Sequence, residues 1–247
     1  MKVPSRELKR RARESLTGHY RLPMAACFFS QLLIFAVEIP FNLSYQFNPS
    51  SFQAIVYMLA TVILSLLSVV LQCGVYQIQL NLARGKDSRL SDIFYFFSRH
   101  PDRMIVATLM LIGLIIVTML PGTVLFAVTA VLPSDTLFIV GILALIVTFV
   151  AVCILALAYS QIYLLLIDHP ELKLMEIFRK SRILMQGQKR SLLWLELSFI
   201  GYGLLGLLSL GIGFLWITPY MGQAKIEFYR NLIGETSPKG QAFDCEI

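Results

Sequence analysis

The stretch TLFIVGILALIVTFVAVCILALAYSQIYLLLI, residues 136–167, decides the fold class of this chain. It contains no charged residue and is apolar on every side of a helix, whereas a helix in a soluble domain keeps a polar face. A hydrocarbon core about 30 Å thick is crossed by about 20 helical residues, so this run is long enough to span it. The stretch therefore predicts a transmembrane helix and, with the segments around it, an all-α fold.

The rest of the chain has the same character. Its 247 residues are 57% hydrophobic and only 15% charged, whereas a soluble domain carries about a quarter charged residues. Three further spans are predicted at residues 22–41, 52–83 and 104–132, with turns at Asn48-Pro49 and Pro133-Ser134-Asp135. The composition therefore predicts a polytopic transmembrane helical bundle.

The last apolar run, residues 191–222, is long for one span and short for two. Gly211-Ile212-Gly213 lies in its middle, where a tight helical hairpin would need glycine. A single span would also place Lys225 and Arg230 on the opposite side from the other basic residues. We therefore predict a hairpin with a final helix from about Ile212 to Leu232, which makes six spans.

The basic residues gather between the spans rather than within them. All 21 Lys and Arg fall into four blocks, at residues 2–21, 84–103, 173–190 and 225–239. Basic residues that flank apolar spans mark the cytoplasmic side and attract anionic headgroups. The net charge of +6 is thus explained by a membrane, and we expect no nucleic acid partner. Both termini are predicted to be cytoplasmic.

A weak internal repeat indicates the same alternation of basic segments and apolar spans. At an offset of 84 residues, Gln77-Ile78 matches Gln161-Ile162, and a fainter copy at an offset of 169 aligns Gly18 with Gly187. Each unit is a basic amphipathic helix followed by a helical hairpin. The predicted organisation is a single membrane domain, 1–247, with units of approximately 1–88, 89–172 and 173–233 and a short polar tail, 234–247.

The amphipathic segments have apolar stripes at helical spacing opposite their basic residues. Two arrangements are open: the segments lie in the headgroup region, or they pack against the cytoplasmic ends of the spans. The predicted membrane-surface basic residues are Arg10, Arg13, Arg179, Lys180 and Arg182.

Ionisable residues within spans are rare here, because only Glu38 and Glu196 qualify. With the hairpin turning near Gly211, Glu196 falls at the depth of Lys225 on the returning helix. We predict a charge pair between them that sets the register of the hairpin, with proton or substrate coupling as the alternative role for Glu196. Inter-helix hydrogen bonding is the expected role of Gln77 and Gln161.

No stretch has the pattern of a catalytic, nucleotide or metal site. Asp168-His169-Pro170-Glu171 is the most polar group, and it is interpreted as a loop that starts a helix, with Pro170 at or near the first helical position. Gly201, Gly203 and Gly206 are interpreted as close helix contacts. We expect no cofactor and no metal.

The C-terminal third resembles a known family. The segments that carry the resemblance are MEIFRKSRILMQGQKR (175–190), LSFIG (197–201), LGIGFLW (210–216), Pro219-Tyr220 and Phe228-Tyr229. They resemble a bacterial membrane family, the domain-of-unknown-function family 975, most closely over residues 168–233. The resemblance implies a polytopic helical fold in the bacterial cytoplasmic membrane, and it transfers no catalytic or ligand residue.

These observations favour a non-enzymatic integral membrane protein that acts through lipid or protein contacts at the cytoplasmic leaflet. The expected partners are anionic lipid headgroups, with a membrane protein partner or a homo-oligomer as a further possibility. The alternatives are a small transporter or export accessory subunit and, third, a lipid-modifying enzyme.

Overall fold

The computed structural model describes residues 3–47, 50–99, 101–131 and 134–236. Every regular element in these ranges is helical: α1 (Ser5–Leu16), α2 (Arg21–Phe47), α3 (Ser51–Ala83), a 3-10 turn (Leu90–Phe94), α4 (Tyr95–Ser98), α5 (Pro101–Val131), α6 (Asp135–Ala158), α7 (Ile162–Asp168), α8 (Leu174–Leu184), α9 (Lys189–Leu197), α10 (Ile200–Leu208) and α11 (Phe214–Leu232). The predicted turn residues Asn48, Pro49 and Pro133, and the tail beyond residue 236, lie outside the described ranges.

Five helical segments within the described residues are long and apolar enough to cross a membrane. They are Arg21–Phe47, Ser51–Ala83, Pro101–Thr129, Asp135–Asp168 and Lys189–Leu208. Helix α11 falls short of this set because its second half carries Lys225, Glu227 and Arg230. The chain is therefore an all-α protein of membrane-spanning character.

The long helices pair in chain order as antiparallel hairpins, α2 with α3, α5 with α6 and α10 with α11. The last hairpin turns where the glycine pattern predicted. Leu210 (φ 54°) and Gly211 (φ 88°) are both left-handed, and the Gly211 N–H donates to the Gly206 carbonyl at 3.0 Å. This bond closes α10 in the manner of a Schellman motif. The first of these two left-handed residues is Leu210, at a position where glycine is usual. Its side chain is exposed.

Two of the predicted straight spans are interrupted. The run 136–167 breaks between α6 and α7 at Tyr159-Ser160-Gln161, and the run from residue 191 breaks between α9 and α10 at Ser198-Phe199. Both breaks lie close to α8 or α1, where the spans pack against the amphipathic helices. The Ser181 hydroxyl of α8, for example, donates to the Ala158 carbonyl at 3.0 Å. Hydropathy averaged over a window does not detect such breaks, because the residues on both sides of them are largely apolar.

The amphipathic segments pack into the protein. The apolar stripe of α1, formed by Leu8, Ala12 and Leu16, is fully buried against α9 and α11. In α8 the corresponding buried residues are Ile177 and Phe178. The sequence left two arrangements open for these helices. In the structure they pack against the ends of the spans.

The hydrophobic core lies at one end of the bundle. In α2 the buried residues lie between Pro23 and Ser30 near its start, and in α3 they lie between Val70 and Leu80 near its end. These parts are adjacent because the two helices are antiparallel. The far halves of the hairpins are exposed, and Val147 of α6, for instance, is 68% exposed. We call the end that holds the core, α1, α4 and α8 the basic end.

Close glycine contacts occur at other positions than predicted. An added Cβ at Gly201 or Gly203 would meet nothing within 4 Å, so the interpretation of these two as helix contacts was wrong. A Cβ added at Gly206 would lie 3.0 Å from the Phe214 ring. The closest approach to backbone atoms is at Gly74 of α3, where a Cβ would lie 2.6 Å from the carbonyl carbon of Ile93 in the 3-10 turn.

Candidate functional site

One lysine of α1, Lys9, links this helix to the end of α9. The Lys9 ammonium donates to the Ser198 carbonyl at 2.8 Å, at the C-terminal end of α9, and lies 4.2 Å from the ring centroid of Phe199 and 4.9 Å from that of Tyr202. Burial lowers the pKa of Lys9, and the nearby Arg13 lowers it further. A cation at a helix C-terminus is favourable, so Lys9 has a structural role in docking α1.

Several arginines of α1 are neutralised within the helix. Arg10 pairs with Glu7 at 2.7 Å and with Glu14 at 2.5 Å, and Arg11 pairs with Glu7 at 2.9 Å. Hydrogen bonds from Arg10 and Arg11 lower the pKa of Glu7 to about 2, so this carboxylate keeps its charge in more acidic solution than an ordinary glutamate does. Arg10, predicted as a membrane-surface residue, is therefore exposed but compensated in charge.

The other predicted surface residues differ among themselves. Arg13, Arg179 and Arg182 are exposed, and none has a carboxylate at salt-bridge distance in the described part of the chain. Lys180 is half-buried and donates to His169 Nε2 at 3.2 Å. The positive charge without a carboxylate partner at the basic end thus includes the guanidinium groups of Arg13, Arg179 and Arg182.

A groove with two chemically different halves runs from α1 onto the last hairpin. Its apolar half, about 400 Å³, is lined by Tyr20, Tyr202, Trp216, Ile217 and Tyr220 together with the C-terminal end of α1. The adjoining half, about 370 Å³, is lined by Arg6, Lys9, Arg10 and Glu14 of α1 and shares Arg13, Thr17, Tyr202 and Tyr220 with the first. We call these two halves together the α1 groove.

A network of ion pairs joins the ends of the three hairpins. Arg84, which caps α3, makes a bidentate pair with Asp168 at the end of α7, with N–O distances of 2.6 and 2.7 Å. The same guanidinium contacts Glu235, just after α11, at 2.5 Å. The side chains of Arg84 and Asp168 are only 19% and 14% exposed. The Tyr229 hydroxyl donates a further hydrogen bond to Asp168 at 2.9 Å.

The network continues to α1. Arg230 contacts Glu235 at 2.9 Å and Glu227 at 3.0 Å, and the Ser15 hydroxyl donates to Glu227 at 3.0 Å. The hydrogen bond to Asp168 is the main reason why the pKa of Arg84 lies above its ordinary value. Charge-assisted bidentate pairs are among the stronger polar contacts in proteins, so this network is the main polar link between α3, α7, α11 and α1.

The predicted partners Glu196 and Lys225 are brought together. Lys225 Nζ lies 3.1 Å from Glu196 Oε1, between α9 and α11, and the two side chains are 39% and 40% exposed. This contact joins the two arms of the last hairpin at the depth expected from the turn at Gly211.

Reversing this pair tests whether it sets the register of the hairpin. Glu196→Lys alone is expected to lower the free energy of unfolding by about 1 kcal/mol, because two ammonium groups then face each other. The swapped variant Glu196→Lys/Lys225→Glu should recover most of that loss. SDS titration of the purified protein in mixed micelles measures both. Equal destabilisation in the single and the double variant would contradict the pairing.

The polar loop after α7 does not form the predicted helix start. Helix α8 begins at Leu174, so the placement of Pro170 at the first helical position was wrong. His169 lies between Glu171, at 3.3 Å from Nδ1, and Lys180, whereas Asp168 is directed to Arg84. His169 and Glu171 are thus in contact with each other, and Asp168 belongs to the ion-pair network of Arg84. Among the described residues no group of His, Cys, Asp and Glu could hold a metal ion.

The glutamines make contacts between and within helices. Gln79 Nε2 donates to the Pro219 carbonyl at 3.2 Å, and Gln223 Nε2 donates to the Gln79 carbonyl at 3.4 Å, both between α3 and α11. Gln161 is buried and bonds to its neighbour Ser160, and Gln77 bonds to Asn81 within α3. The inter-helix bonds expected for Gln77 and Gln161 are thus made by Gln79 and Gln223.

With this geometry in view, comparison with known proteins gives one match. The model of a family described as a protein of unknown function (DUF975) matches residues 1–236. The chain belongs to the DUF975 family. No curated protein and no solved structure matches it. The match covers α1 and the first two hairpins as well as the C-terminal third that carries the resemblance. All the described helices therefore lie within the matched residues.

Sequence reasoning missed the central residues of this DUF975 chain, namely Arg84, Tyr229 and Glu235. A signal for one pair was present, because Arg84 and Asp168 are separated by the same 84 residues as the repeat. Both residues stand where a hairpin ends, so equivalent ends of two hairpins meet. No comparable signal pointed to Glu235, which lies 151 residues from Arg84 and so does not share that spacing.

Proposed function

We propose that this DUF975 protein is a non-enzymatic, six-span protein of the bacterial cytoplasmic membrane that binds anionic lipid at the cytoplasmic leaflet. One observation carries the proposal: Arg13, Arg179 and Arg182 are exposed at the basic end without a carboxylate partner in the described residues. Uncompensated cations beside apolar spans attract anionic headgroups, at about 1 kcal/mol for each Lys or Arg near the surface.

The topology follows from the charge distribution. The basic end holds α1, α4 and α8, and the positive-inside rule puts it in the cytoplasm. The sixth span is α11, which is apolar from Phe214 to Gly222 and amphipathic afterwards. Its polar half lies in the core of the basic end, where Ile226, Phe228 and Tyr229 are buried, so its charges need not face lipid.

A three-unit organisation is part of the proposal. The helix of each amphipathic segment begins at a corresponding position, since Leu90 and Leu174 are 84 residues apart and Ser5 and Leu174 are 169 apart. In the second and third units an acidic side chain accepts from the backbone N–H three residues earlier, Asp92 from Arg89 and Glu176 from Lys173. These equivalences support a repeated amphipathic helix with a hairpin.

Labelling of one introduced cysteine at a time in intact cells tests the topology, beside the four native cysteines. We expect Leu210→Cys, in the turn of the last hairpin, to react with a membrane-impermeant maleimide from outside the cell. Gln186→Cys, after α8, should react only after permeabilisation. Both positions are exposed, and the unsubstituted protein gives the background. Protection of Leu210→Cys, or a reporter fused to the C-terminus that is active outside the cell, would contradict six spans.

Lipid selectivity tests the contact role. In nanodiscs that contain phosphatidylglycerol and phosphatidylcholine, we expect the purified protein to enrich phosphatidylglycerol in its lipid shell. The enrichment should weaken in 1 M salt, because screening shortens the range of exposed charges to about 3 Å. Equal retention of both lipids at low salt would refute a role that depends on anionic lipid.

A further inference from the structure

The α1 groove has the chemistry of an anionic glycerophospholipid. Its basic half holds Arg6 and Arg13, and its apolar half is walled by Tyr202, Tyr220 and Trp216. We propose that the α1 groove is a specific site for one anionic phospholipid, with the phosphodiester on the arginines and the acyl chains along α10 and α11. This inference rests on the proposed function, because it names the residues that would select the lipid.

The charge balance of the groove favours an anion. Lys9 is engaged by the Ser198 carbonyl and two rings, and Arg10 is engaged by Glu7 and Glu14. Arg6 and Arg13 remain, without a carboxylate partner within the described chain. Two guanidinium groups that lack a carboxylate partner and line one groove suit a phosphodiester, which they can contact through several N–H donors.

The position of Arg13 is defined by an aromatic neighbour. Its guanidinium lies 5.9 Å from the ring centroid of Tyr220, which is itself buried and packs edge-on against Phe199 at 5.3 Å. The Tyr202 hydroxyl makes no hydrogen bond in the part of the chain that the structure describes, so it is free to donate to a ligand oxygen. The basic half therefore presents oriented donors.

The apolar half continues onto a surface that suits acyl chains. Trp216 is 51% exposed, and Leu205 and Leu208 on the facing arm of the hairpin are also exposed. Tyrosine and tryptophan are enriched at the level where headgroup and hydrocarbon meet. The order along the groove, from arginine through tyrosine to apolar side chains, matches the order of chemical groups along a phospholipid. A soluble phosphate compound would use only the basic half.

Tryptophan fluorescence can report on this groove alone. The chain has two tryptophans, and Trp194 on α9 is exposed but does not line the groove. Trp194→Phe leaves Trp216 as the reporter in the groove, and Trp216→Phe leaves Trp194 as the matched control. Each protein is reconstituted in phosphatidylcholine with rising fractions of dibrominated phosphatidylglycerol, whose bromine atoms quench a nearby tryptophan.

We expect half-maximal quenching of Trp216 at a fraction of brominated lipid roughly tenfold lower than that for Trp194. Arg6→Gln/Arg13→Gln should remove this difference, while Lys173→Gln/Arg190→Gln, with the same loss of charge outside the groove, should change it less than twofold. All four side chains are exposed, so folding should be preserved; matching elution and melting profiles check it.

The outcomes separate the two proposals. Enrichment of anionic lipid together with equal quenching of Trp216 and Trp194 would refute the groove site and leave the general role intact. Loss of all preference for anionic lipid would refute both. Displacement of the brominated lipid by millimolar inorganic phosphate would assign the groove to a soluble phosphate compound, which also overturns the site proposed here.

Discussion

Arg84→Met is expected to lower the free energy of unfolding by about 3 kcal/mol. The substitution leaves Asp168 and Glu235 without the guanidinium that contacts both. Asp168 is 14% exposed, and a buried carboxylate that loses its partner costs far more than an exposed one. SDS titration in mixed micelles, followed by circular dichroism, measures the change, and the apparent melting temperature in detergent should fall with it.

The matched control is Arg10→Met. Arg10 also contacts two carboxylates, Glu7 and Glu14, but its side chain is 58% exposed, so the expected loss is much smaller than for Arg84→Met. A double variant, Arg84→Met/Asp168→Leu, should be less destabilised than the sum of its single variants, because no uncompensated Asp168 remains. A loss for Arg84→Met no larger than for Arg10→Met would show that the network does not hold the hairpins together.

Gly74→Ala is expected to destabilise the protein by about 2–3 kcal/mol. The added Cβ would lie 2.6 Å from the carbonyl carbon and 2.7 Å from the Cα of Ile93. These are backbone atoms of a buried turn, so they cannot move aside as the end of a flexible side chain can. The 3-10 turn must therefore move away from α3, which disturbs the cluster formed by Ala26, Leu71, Val75 and Ile93.

Gly113→Ala provides the comparison for this substitution. Gly113 lies within α5, and an added Cβ there meets nothing within 4 Å. The same chemical change should be neutral or slightly stabilising, because alanine favours the helix. Thermal unfolding of both variants in one detergent, monitored by size-exclusion fluorescence, makes the test. A Gly74→Ala protein as stable as Gly113→Ala would mean that α3 and the 3-10 turn are not in close contact.

The long helices could be predicted because lipid imposes a simple rule. Every backbone polar group in hydrocarbon must be satisfied locally, so a long apolar run forms a helix whatever its neighbours are. The spans predicted from residues 22, 52, 104 and 136 all correspond to helices that are long and apolar enough to cross a membrane. The turn near Gly211 and the contact of Glu196 with Lys225 followed from length and glycine position alone.

The candidate site was only partly accessible from the sequence. The basic residues of α1 and α8 could be identified from the sequence, but which of them lack a carboxylate partner could not be predicted. Glu7 and Glu14 compensate Arg10, whereas Arg13 lies beside Tyr220 in the groove without a carboxylate partner among the described residues. Which arginine is free depends on how α1 is rotated against α9 and α11. The aromatic wall that completes the groove comes from α10 and α11, far along the chain.

The sequence by itself determined the all-α class, the position of most helices and the clustering of positive charge, because these depend on local hydropathy and on residue order. Only the tertiary structure decided that α1 and α8 pack into the core, that Arg84 joins Asp168 to Glu235, and that Gly74 contacts the 3-10 turn. These contacts join residues distant in the chain through the distances between particular side chains and backbone atoms, which a one-dimensional pattern of apolar and basic residues does not contain.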